Sequence, residues 1–446
     1  MQPHLLEQLE RRLPRYTSYP TAAQFRSDIT GTIYEDWLAA LPANEAVSIY
    51  IHIPFCAELC LYCGCHTTVT RGYAPVAAYL DLLEREVSLV GRLIGRRKVN
   101  HVHFGGGTPT IVTPQHFLRL MAGVEARFSF TPQTELAIEI DPRTLTREHV
   151  TALARAGITR ASLGVQDFEP RVQSAVRRVQ SFDQTARAVD WLRDVGVQSI
   201  NLDLMYGLPH QTVSTVVATA QRALAVEPDR IALFGYAHVP WMKRHQRLIA
   251  SSTLPDSSDR ADQSAAAAEV FMAAAYSPIG LDHFARDDDL LACRQREGRL
   301  HRNFQGYATD EARTIIGFGT SAIGTLAPGY VQNAAATPHY RDAINRGRPA
   351  TARGYRLTDD DRFRWQIIER LMCDLCVDLA EVCRTHERNL TELTSELGQL
   401  DKLADQGVVE REGTRIRPSS KPFIRAVCAV FDKHSFNDES RYSLAS

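Results

Sequence analysis

Four cysteines near residue 60 lie close together, and their spacing indicates metal chemistry. Cys56, Cys60 and Cys63 form a C-x3-C-x2-C pattern, and Cys65 follows two residues after the last of them. Three thiolates on so short a loop can bind three irons of a [4Fe–4S] cubane and leave the fourth iron without a protein ligand. Structural zinc, the alternative, usually takes its ligands as two separated pairs, and no second pair lies near this loop. The spacing therefore favours an iron–sulfur cluster with one open iron.

The open iron determines what such a cluster can do. It can chelate the amino and carboxylate groups of S-adenosylmethionine and pass an electron to the sulfonium, which releases a 5′-deoxyadenosyl radical. The cysteine spacing alone thus predicts radical chemistry but leaves the substrate open.

Bulk composition excludes several other classes of function. The chain has 446 residues and a formal net charge of -1, so we expect no general attraction to nucleic acid. No apolar run approaches the roughly 18 residues of a membrane span, and the N-terminus lacks the apolar core of a secretory signal. We therefore expect a cytoplasmic protein without a membrane span, in which the nine cysteines remain free of disulfides.

Short β-rich runs alternate with amphipathic helical stretches through the first half of the chain. The predicted strands are Ser48–Ile53, His101–Gly106, Glu135–Asp141, Arg160–Gln166, Ser199–Gly207 and Arg230–Ala237. The predicted helices are Ala78–Ile94, Pro114–Phe128, Arg147–Ala156, Asp183–Val195 and Thr212–Val226. Repeated β-α alternation predicts parallel strands, either as an open doubly wound sheet or as a full or partial barrel. Both architectures gather ligands at the carboxyl ends of the strands, where the cysteine loop begins.

The pattern changes beyond about residue 355. Two helical stretches, Asp359–Leu375 and Thr391–Asp405, precede a hairpin at Gly407–Pro418, an order similar to a small winged helix. We expect this unit to act in packing or as a lid. Cys373 and Cys376 share one face of the first helix in this reading, which favours packing over a second metal site.

Several longer motifs carry a resemblance to a known family. They are Pro14-Arg-Tyr-Thr-Ser-Tyr-Pro-Thr21, Tyr50-Ile-His-Ile-Pro-Phe-Cys56, Gly105-Gly-Gly-Thr-Pro-Thr110, Gly164-Val-Gln-Asp-Phe168, Asn201-Leu-Asp-Leu-Met-Tyr-Gly-Leu-Pro209, Tyr236-Ala-His-Val-Pro240, Asp282-His-Phe-Ala-Arg286 and His301-Arg-Asn-Phe-Gln-Gly-Tyr307. Together they resemble the oxygen-independent coproporphyrinogen III dehydrogenases, a family of radical S-adenosylmethionine enzymes. The resemblance runs from about residue 14 through nearly the whole chain. It departs at Gly235, where the family pattern has a larger polar residue.

The resemblance implies a fold and a reaction. The fold is a partial (β/α)6 TIM-like barrel with an N-terminal segment at its mouth and a small, mostly helical, winged-helix-like C-terminal domain. We expect boundaries at 1–42, 43–354 and 355–446. The reaction is oxidative decarboxylation of two propionates of coproporphyrinogen III to vinyl groups, which gives protoporphyrinogen IX without oxygen.

The resemblance also implies site residues. Cys56, Cys60 and Cys63 would bind the cluster, while Cys65 matches an additional cysteine of the family. Because three thiolates suffice, we expect Cys65 not to bind iron. It is a candidate for a catalytic role, with a packed thiol as the alternative. Contacts to a first S-adenosylmethionine fall on Tyr50, Gly106, Glu139 and Ile323, and contacts to a second fall on Tyr62, Gly107, Thr108, Gln166, Arg178, Asp203 and Ala237.

A tetracarboxylate substrate needs cationic partners. Arg15, Arg286, Arg299 and Arg302 are the candidates, and we expect them around the barrel mouth. His283, His301 and Tyr307 are further candidates for binding or proton relay.

Two alternatives remain at this stage: a haem chaperone built on the same barrel, and a different radical reaction on a tetrapyrrole. The chaperones generally lack the fourth cysteine and the Arg-Tyr-Thr-Ser-Tyr-Pro run, both of which are present here. The expected partners are coproporphyrinogen III and an electron donor such as flavodoxin or ferredoxin, and the expected state is a monomer.

Overall fold

The computed structural model describes residue 5, residues 10–434 and residues 442–443. The outermost residues of the predicted N-terminal segment and C-terminal domain therefore lie outside the described residues.

A twelve-stranded sheet forms the centre of the fold. Its strands are β1 (Val47–Ile53), β4 (Val99–Gly106), β5 (Glu135–Ile140), β6 (Arg160–Gln166), β7 (Ser199–Tyr206), β8 (Arg230–Gly235), β9 (Tyr276–Ile279), β10 (His283–Arg286), β13 (Thr314–Phe318), β14 (Ile323–Leu326), β15 (Gly329–Asn333) and β16 (Thr351–Arg356). The shorter strands are β2 (Phe55–Cys56), β3 (Thr68–Val69), β11 (His301–Asn303), β12 (Gly306–Ala308), β17 (Val377–Asp378), β18 (Val409–Glu412) and β19 (Arg415–Pro418). The six predicted strands are present, with ends within two residues of those expected.

The strand order distinguishes between the two architectures left open by the sequence. Strands β1, β4, β5, β6, β7 and β8 are neighbours in chain order and pair in parallel. A doubly wound sheet would reverse direction at a switch point, whereas a barrel proceeds around its axis as this sheet does. The partial barrel is therefore confirmed. Strand β13 adds in parallel to β1, and β14–β16 and β10–β9 extend the two edges antiparallel.

Helices cover the outside of the barrel. They are α1 (Gly31–Ala39), α2 (Ala74–Ile94), α3 (Pro114–Glu125), α4 (Arg147–Arg155), α5 (Pro170–Ala175), α6 (Phe182–Asp194), α7 (Val213–Leu224), α8 (Ser257–Ala273), α9 (Leu290–Arg296) and α10 (Thr337–Asn345). Their ends carry the expected signals: Ser181 and Gln184 form a capping box at the start of α6, and Gly95 follows α2 with a φ of 70°. The main apolar core lies between these helices and the parallel strands.

The C-terminal part is mostly helical, as expected. It contains α11 (Asp359–Asp374), α12 (Leu379–Thr385), α13 (Thr394–Asp405), α14 (Ile424–Val430) and the three-stranded sheet β17-β19-β18. It has its own apolar core, into which Tyr16 and Tyr19 of the N-terminal segment also pack. That core supports treating residues 355–446 as a unit, although the domain boundaries remain a prediction.

One local expectation is wrong. Helix α11 ends at Asp374 because Leu375 takes a left-handed conformation with a φ of 55°. Cys373 is buried within the helix as expected, but Cys376 lies beyond its end and does not share a helical face with it. Within the described residues, no helix is both long and apolar enough to cross a bilayer.

Candidate active site

A cavity of about 1130 Å³ opens at the carboxyl ends of the parallel strands. Most of the predicted site residues line it: Cys56, Cys60, Tyr62, Cys63, Cys65, Gly106, Gly107, Thr108, Glu139, Gln166, Arg178 and Asp203. They come from different strands, and the parallel order of those strands brings them to one mouth.

The cysteine loop runs between β2 and β3, which pair in parallel beside the mouth. Two basic side chains hold its backbone from the segment after β8. The Nζ of Lys243 donates to the carbonyl of Cys65 at 2.8 Å, and the Nε2 of His245 lies 2.8 Å from the carbonyl of Cys63. The loop is therefore fixed by contacts that leave its thiols facing the cavity.

Cys60 lies between two arginines. The Nη2 of Arg143 and the Nη1 of Arg178 are each 3.8 Å from its Sγ. The carboxylate of Asp141 holds both guanidinium groups, at 2.7 Å from Arg143 and 3.3 Å from Arg178. This arrangement places two guanidinium donors against one sulfur.

The other three thiols differ in their surroundings. Burial raises the pKa of Cys56 to about 11, although the hydroxyl of Thr108 donates to its Sγ at 3.5 Å. A hydrogen bond from Cys65 to Cys63 lowers the pKa of Cys63 to about 6 and raises that of Cys65. The contact between Cys63 and Cys65 therefore shifts the pKa values of the two thiols in opposite directions.

The glycine run forms one wall of the cavity and lies close to the cysteine loop. A Cβ on Gly107 would lie 2.6 Å from the carbonyl oxygen of Phe55 and 3.0 Å from the Sγ of Cys56. Gly106 has a φ of 118°, which residues with a side chain rarely adopt. The run thus brings bare backbone against the cysteine loop.

Glu139 projects from the end of β5 into the same cavity. Its carboxylate accepts from the amide of Gly106 at 3.1 Å and lies 3.2 Å from the Nε2 of His103. Burial acts to raise the pKa of Glu139, but these contacts outweigh it and leave the pKa below its usual value. Glu139 is therefore an ionised acceptor at the mouth.

Asp203 has the opposite electrostatic character. It accepts from Ser162 at 3.0 Å and from Asn201 at 2.8 Å, yet burial and the nearby Glu139 raise its pKa to about 6. Gln166, on the adjacent strand, has a φ of 69° at a bulge in the pairing of β6 with β7. Backbone strain of this kind is often found where a side chain must point at a ligand.

Three predicted contacts do not line the cavity: Tyr50, Ala237 and Ile323. The ring of Tyr50 stacks on His103 just inside the mouth, at 5.9 Å between centroids. The carbonyl of Ala237 accepts from Gln246, which also donates to the carbonyl of Tyr62. Tyr50 and Ala237 thus touch groups around the mouth.

Sequence reasoning missed several residues of the site. Arg143 and Lys243 contact the cysteine loop, and His103 contacts Glu139. His103 could have been identified from the sequence. Alternate residues of a strand face the same side, and Gly105 of the glycine run lies two positions further along the same strand. Lys243 lies in an irregular segment, where no periodicity in the sequence predicts the direction in which a side chain points.

The four arginines predicted at the mouth are separated in the structure. Arg299 is exposed beside Glu297 and Glu311, and Arg286 ends β10, which runs antiparallel to β8 and so finishes at the amino end of the barrel. Their placement at the mouth was wrong, because antiparallel strands and hairpins reverse the direction assumed from the β-α pattern. Arg15 and Arg302 instead line a smaller cavity beside the end of β8.

The histidine and tyrosine candidates also lie away from the mouth cavity. His283 and Tyr307 line a separate cavity toward the amino ends of the barrel strands. His301 lies 3.4 Å from Glu369.

Known proteins resemble the chain over nearly its full length. Residues 50–223 match the Radical SAM superfamily. An oxygen-independent coproporphyrinogen III oxidase of Bradyrhizobium diazoefficiens is 50% identical over 95% of both chains, and one of Paracoccus denitrificans is 42% identical over 95% of this chain and 96% of its own. The solved structure of the Escherichia coli coproporphyrinogen III oxidase, a radical SAM enzyme, matches with a TM-score of 0.90 and 35% identity, over 95% of this chain and 100% of that one. The chain therefore belongs to the oxygen-independent coproporphyrinogen III oxidases within the Radical SAM superfamily.

Proposed function

We propose that this enzyme converts two propionate side chains of coproporphyrinogen III to vinyl groups, with loss of two CO2, in haem biosynthesis without oxygen. The single observation that carries the substrate is the near-complete match to relatives that bear this name. The cavity at the barrel mouth, with its cysteine loop and polar strand ends, supplies a site suited to this reaction.

As a radical S-adenosylmethionine enzyme the protein uses a [4Fe–4S] cluster and S-adenosylmethionine, which together supply a 5′-deoxyadenosyl radical for hydrogen abstraction. The residues present fit the cluster. Cys56, Cys60 and Cys63 line one cavity on one loop, and the bare backbone of Gly107 leaves room beside Cys56. These three thiols would hold the cluster, and Arg143 and Arg178 would offset the charge of the Cys60 thiolate.

Glu139 and Gly106 would bind the first S-adenosylmethionine. A carboxylate kept ionised by His103 suits a cationic or hydroxyl-bearing group, and the glycine gives close access to backbone. Tyr50 and Ile323 complete this predicted set, with Tyr50 positioned by its stacking on His103.

A second S-adenosylmethionine is proposed beside the first. The residues assigned to it are Tyr62, Gly107, Thr108, Gln166, Arg178, Asp203 and Ala237. All but Ala237 line the mouth cavity. Support comes from the strained backbone of Gln166 and from the buried Nε of Arg178, which has no hydrogen-bond partner within the described residues.

Cys65 is proposed as a thiol that stays off the cluster and serves the radical reaction. It is exposed on the cavity side of the loop, with its backbone held by Lys243. We further propose a monomeric, cytoplasmic enzyme reduced by a flavodoxin or ferredoxin.

The decisive experiment is an anaerobic incubation of the reconstituted protein with coproporphyrinogen III, S-adenosylmethionine and a reductant. We expect protoporphyrinogen IX and CO2, with two CO2 released per tetrapyrrole. Cleavage of S-adenosylmethionine without decarboxylation would refute the substrate, and stable haem binding without any cleavage would indicate the chaperone function instead.

A further inference from the structure

A second cavity, of about 80 Å³, lies beside the carboxyl end of β8 and is lined by five cationic side chains. We call it the cationic cavity; the five residues are Arg15, Arg260, Arg302, Lys421 and Arg425. They come from the N-terminal segment, the barrel and the C-terminal part. Asp282 is the one carboxylate among the described residues that line the cavity.

Two of these cations have donors that nothing in the described part of the chain satisfies. The Nζ of Lys421 is buried without a hydrogen-bond partner, as are the Nε and Nη1 of Arg302. Arg302 is only 6% exposed, and its nearest carboxylate oxygen, on Asp282, is 3.8 Å away. Burial lowers the pKa of Lys421 to about 8, which shows how poorly its charge is compensated. A buried donor left without a hydrogen-bond partner destabilises the fold, and more so when it is charged.

Backbone carbonyls help to orient the other three cations. The Nη2 of Arg260 donates to the carbonyl of Tyr236 at 3.0 Å, and the Nε of Arg425 donates to the carbonyl of Pro14 at 2.9 Å. Arg15 donates to the carbonyl of Gly235 at 2.6 Å.

The cavity lies outside the barrel lumen but opens at the same end. Leu233 and Phe284 line it, whereas Phe234 and His283 line the lumen, because alternate residues of a strand face opposite sides. Its edge at Gly235 comes directly before Tyr236 and Ala237. The two cavities therefore neighbour each other along β7, where Asp203 lines the mouth cavity and Tyr206 lines the cationic cavity.

Space at that edge depends on the glycine. A Cβ on Gly235 would lie 2.9 Å from the Oη of Tyr206 and 3.2 Å from the Nη2 of Arg260. The cavity, at about 80 Å³, is between two and three times the roughly 30 Å³ that a water molecule occupies in the liquid. It can take a carboxylate and its neighbouring carbons, but not a tetrapyrrole ring.

We propose that the cationic cavity binds a carboxylate of the substrate, namely a propionate that is not being decarboxylated, and so orients the tetrapyrrole over the mouth. This proposal rests on the proposed function for the identity of the substrate. Lys421 and the free edge of Arg302 would contact the carboxylate, and Arg15 would border its entry. The shared chemistry is that of a small oxyanion, so a free inorganic anion is the alternative source.

The test measures binding rather than turnover, so that it is separate from the test of the reaction. The variant is Lys421→Met, which removes the charge and keeps the length of the side chain, and the matched control is Lys402→Met on the exposed face of α13. The probes are coproporphyrin III, followed by fluorescence under anaerobic conditions, and inorganic phosphate, followed by thermal shift. We expect Lys421→Met to weaken coproporphyrin binding roughly tenfold, the value of one hydrogen bond to a charged group. Lys402→Met should leave it unchanged.

Removal of an unpaired buried charge should not unfold the protein, so the melting temperature of Lys421→Met should equal or exceed that of the wild type. In steady state, KM for the tetrapyrrole should rise while KM for S-adenosylmethionine stays constant. If Lys421→Met does not fold, Arg15→Gln provides the same test at the exposed edge of the cavity. Unchanged coproporphyrin binding in the folded variant overturns the proposal, whether or not phosphate stabilises the wild type through Lys421.

Discussion

The two ends of the barrel lumen contain similar residue types in opposite arrangements. At the amino end, charges form close pairs: Glu135 lies 2.8 Å from Arg160, and Arg230 lies 2.8 Å from Asp289. Burial lowers the pKa of His101 to about 3, so that it adds no charge to this end at neutral pH. In a network of this kind, each charged group is balanced by a partner of opposite charge.

At the carboxyl end the charges are not matched one to one. Arg143 and Arg178 both pair with Asp141, Arg143 also lies 3.5 Å from Glu58, and each arginine directs one donor to the sulfur of Cys60. Within the described residues, Asp203 has no arginine or lysine partner, and burial and the nearby Glu139 raise its pKa. The location of unmatched charge, rather than the amount of charge, therefore separates a binding site from a structural network.

The largest effect is expected from Cys60→Ala at the carboxyl end. It removes the one thiolate held by two arginines, so the protein should lose its brown absorbance, its iron and sulfide, and all detectable turnover. Far-UV circular dichroism should stay unchanged, because the loop lies outside the main apolar core. Cys293→Ala, on α9 and away from the mouth, is the control and should retain the cluster. Full cluster content in Cys60→Ala would refute the ligand assignment.

At the amino end the corresponding change affects stability instead. Burial acts to raise the pKa of Glu135, but Arg160 and His101 outweigh it and lower the pKa to about 2. Glu135→Gln leaves Arg160 buried without its partner and should cost about 3 kcal/mol in the free energy of unfolding at pH 7. Affinity for S-adenosylmethionine should not change. Chemical denaturation measures the predicted loss of unfolding free energy, with Glu125→Gln on the exposed end of α3 as the control.

The sign of the pH dependence follows from the lowered pKa. The pairing stabilises the fold fully above the ordinary value of 4.5 and loses its contribution as pH falls from 4.5 toward 2. The wild type should therefore lose part of its stability in that window, and Glu135→Gln should lose less. Parallel stability curves for the two proteins would contradict the pairing.

The sequence predicted this distinction only in part. The β-α alternation and the cysteine spacing indicated the barrel and its mouth, because both signals are local and periodic. The cationic cavity was not foreseen, since Arg15 and Lys421 are 406 residues apart in the chain and meet only through packing of the N-terminal and C-terminal parts. The predicted position of Arg286 was also wrong. Strand β10 is antiparallel to β8 and places Arg286 at the amino end of the barrel, and the β-α pattern does not indicate where the alternation ends.

A smaller effect is expected from Asp203, where the carboxyl end differs most from the amino end. Because its pKa is raised to about 6, protonation should compete with cofactor binding below that pH. We expect the affinity of the reconstituted enzyme for S-adenosylmethionine to fall by up to about tenfold per pH unit below 6. Asp203→Asn should bind about tenfold more weakly at pH 7.5, the value of one hydrogen bond to a charged group, and should lack this pH dependence. Anaerobic equilibrium binding between pH 5 and 8 measures both, and a wild-type affinity that is flat across this range would remove Asp203 from the cofactor site.

The smallest effect on the metal centre is expected from Cys65→Ser. Cys65 lies only two residues from Cys63 and lowers the pKa of that thiol, and a serine hydroxyl at the same position is also a hydrogen-bond donor. If Cys65 stays off the cluster, the variant should contain as much iron and sulfide as the wild type and give the same visible spectrum. Any loss of turnover would then come from the reaction itself, whereas loss of iron would make Cys65 a ligand. The cysteine loop would thus contain three thiolates that bind the metal and one thiol left free to react.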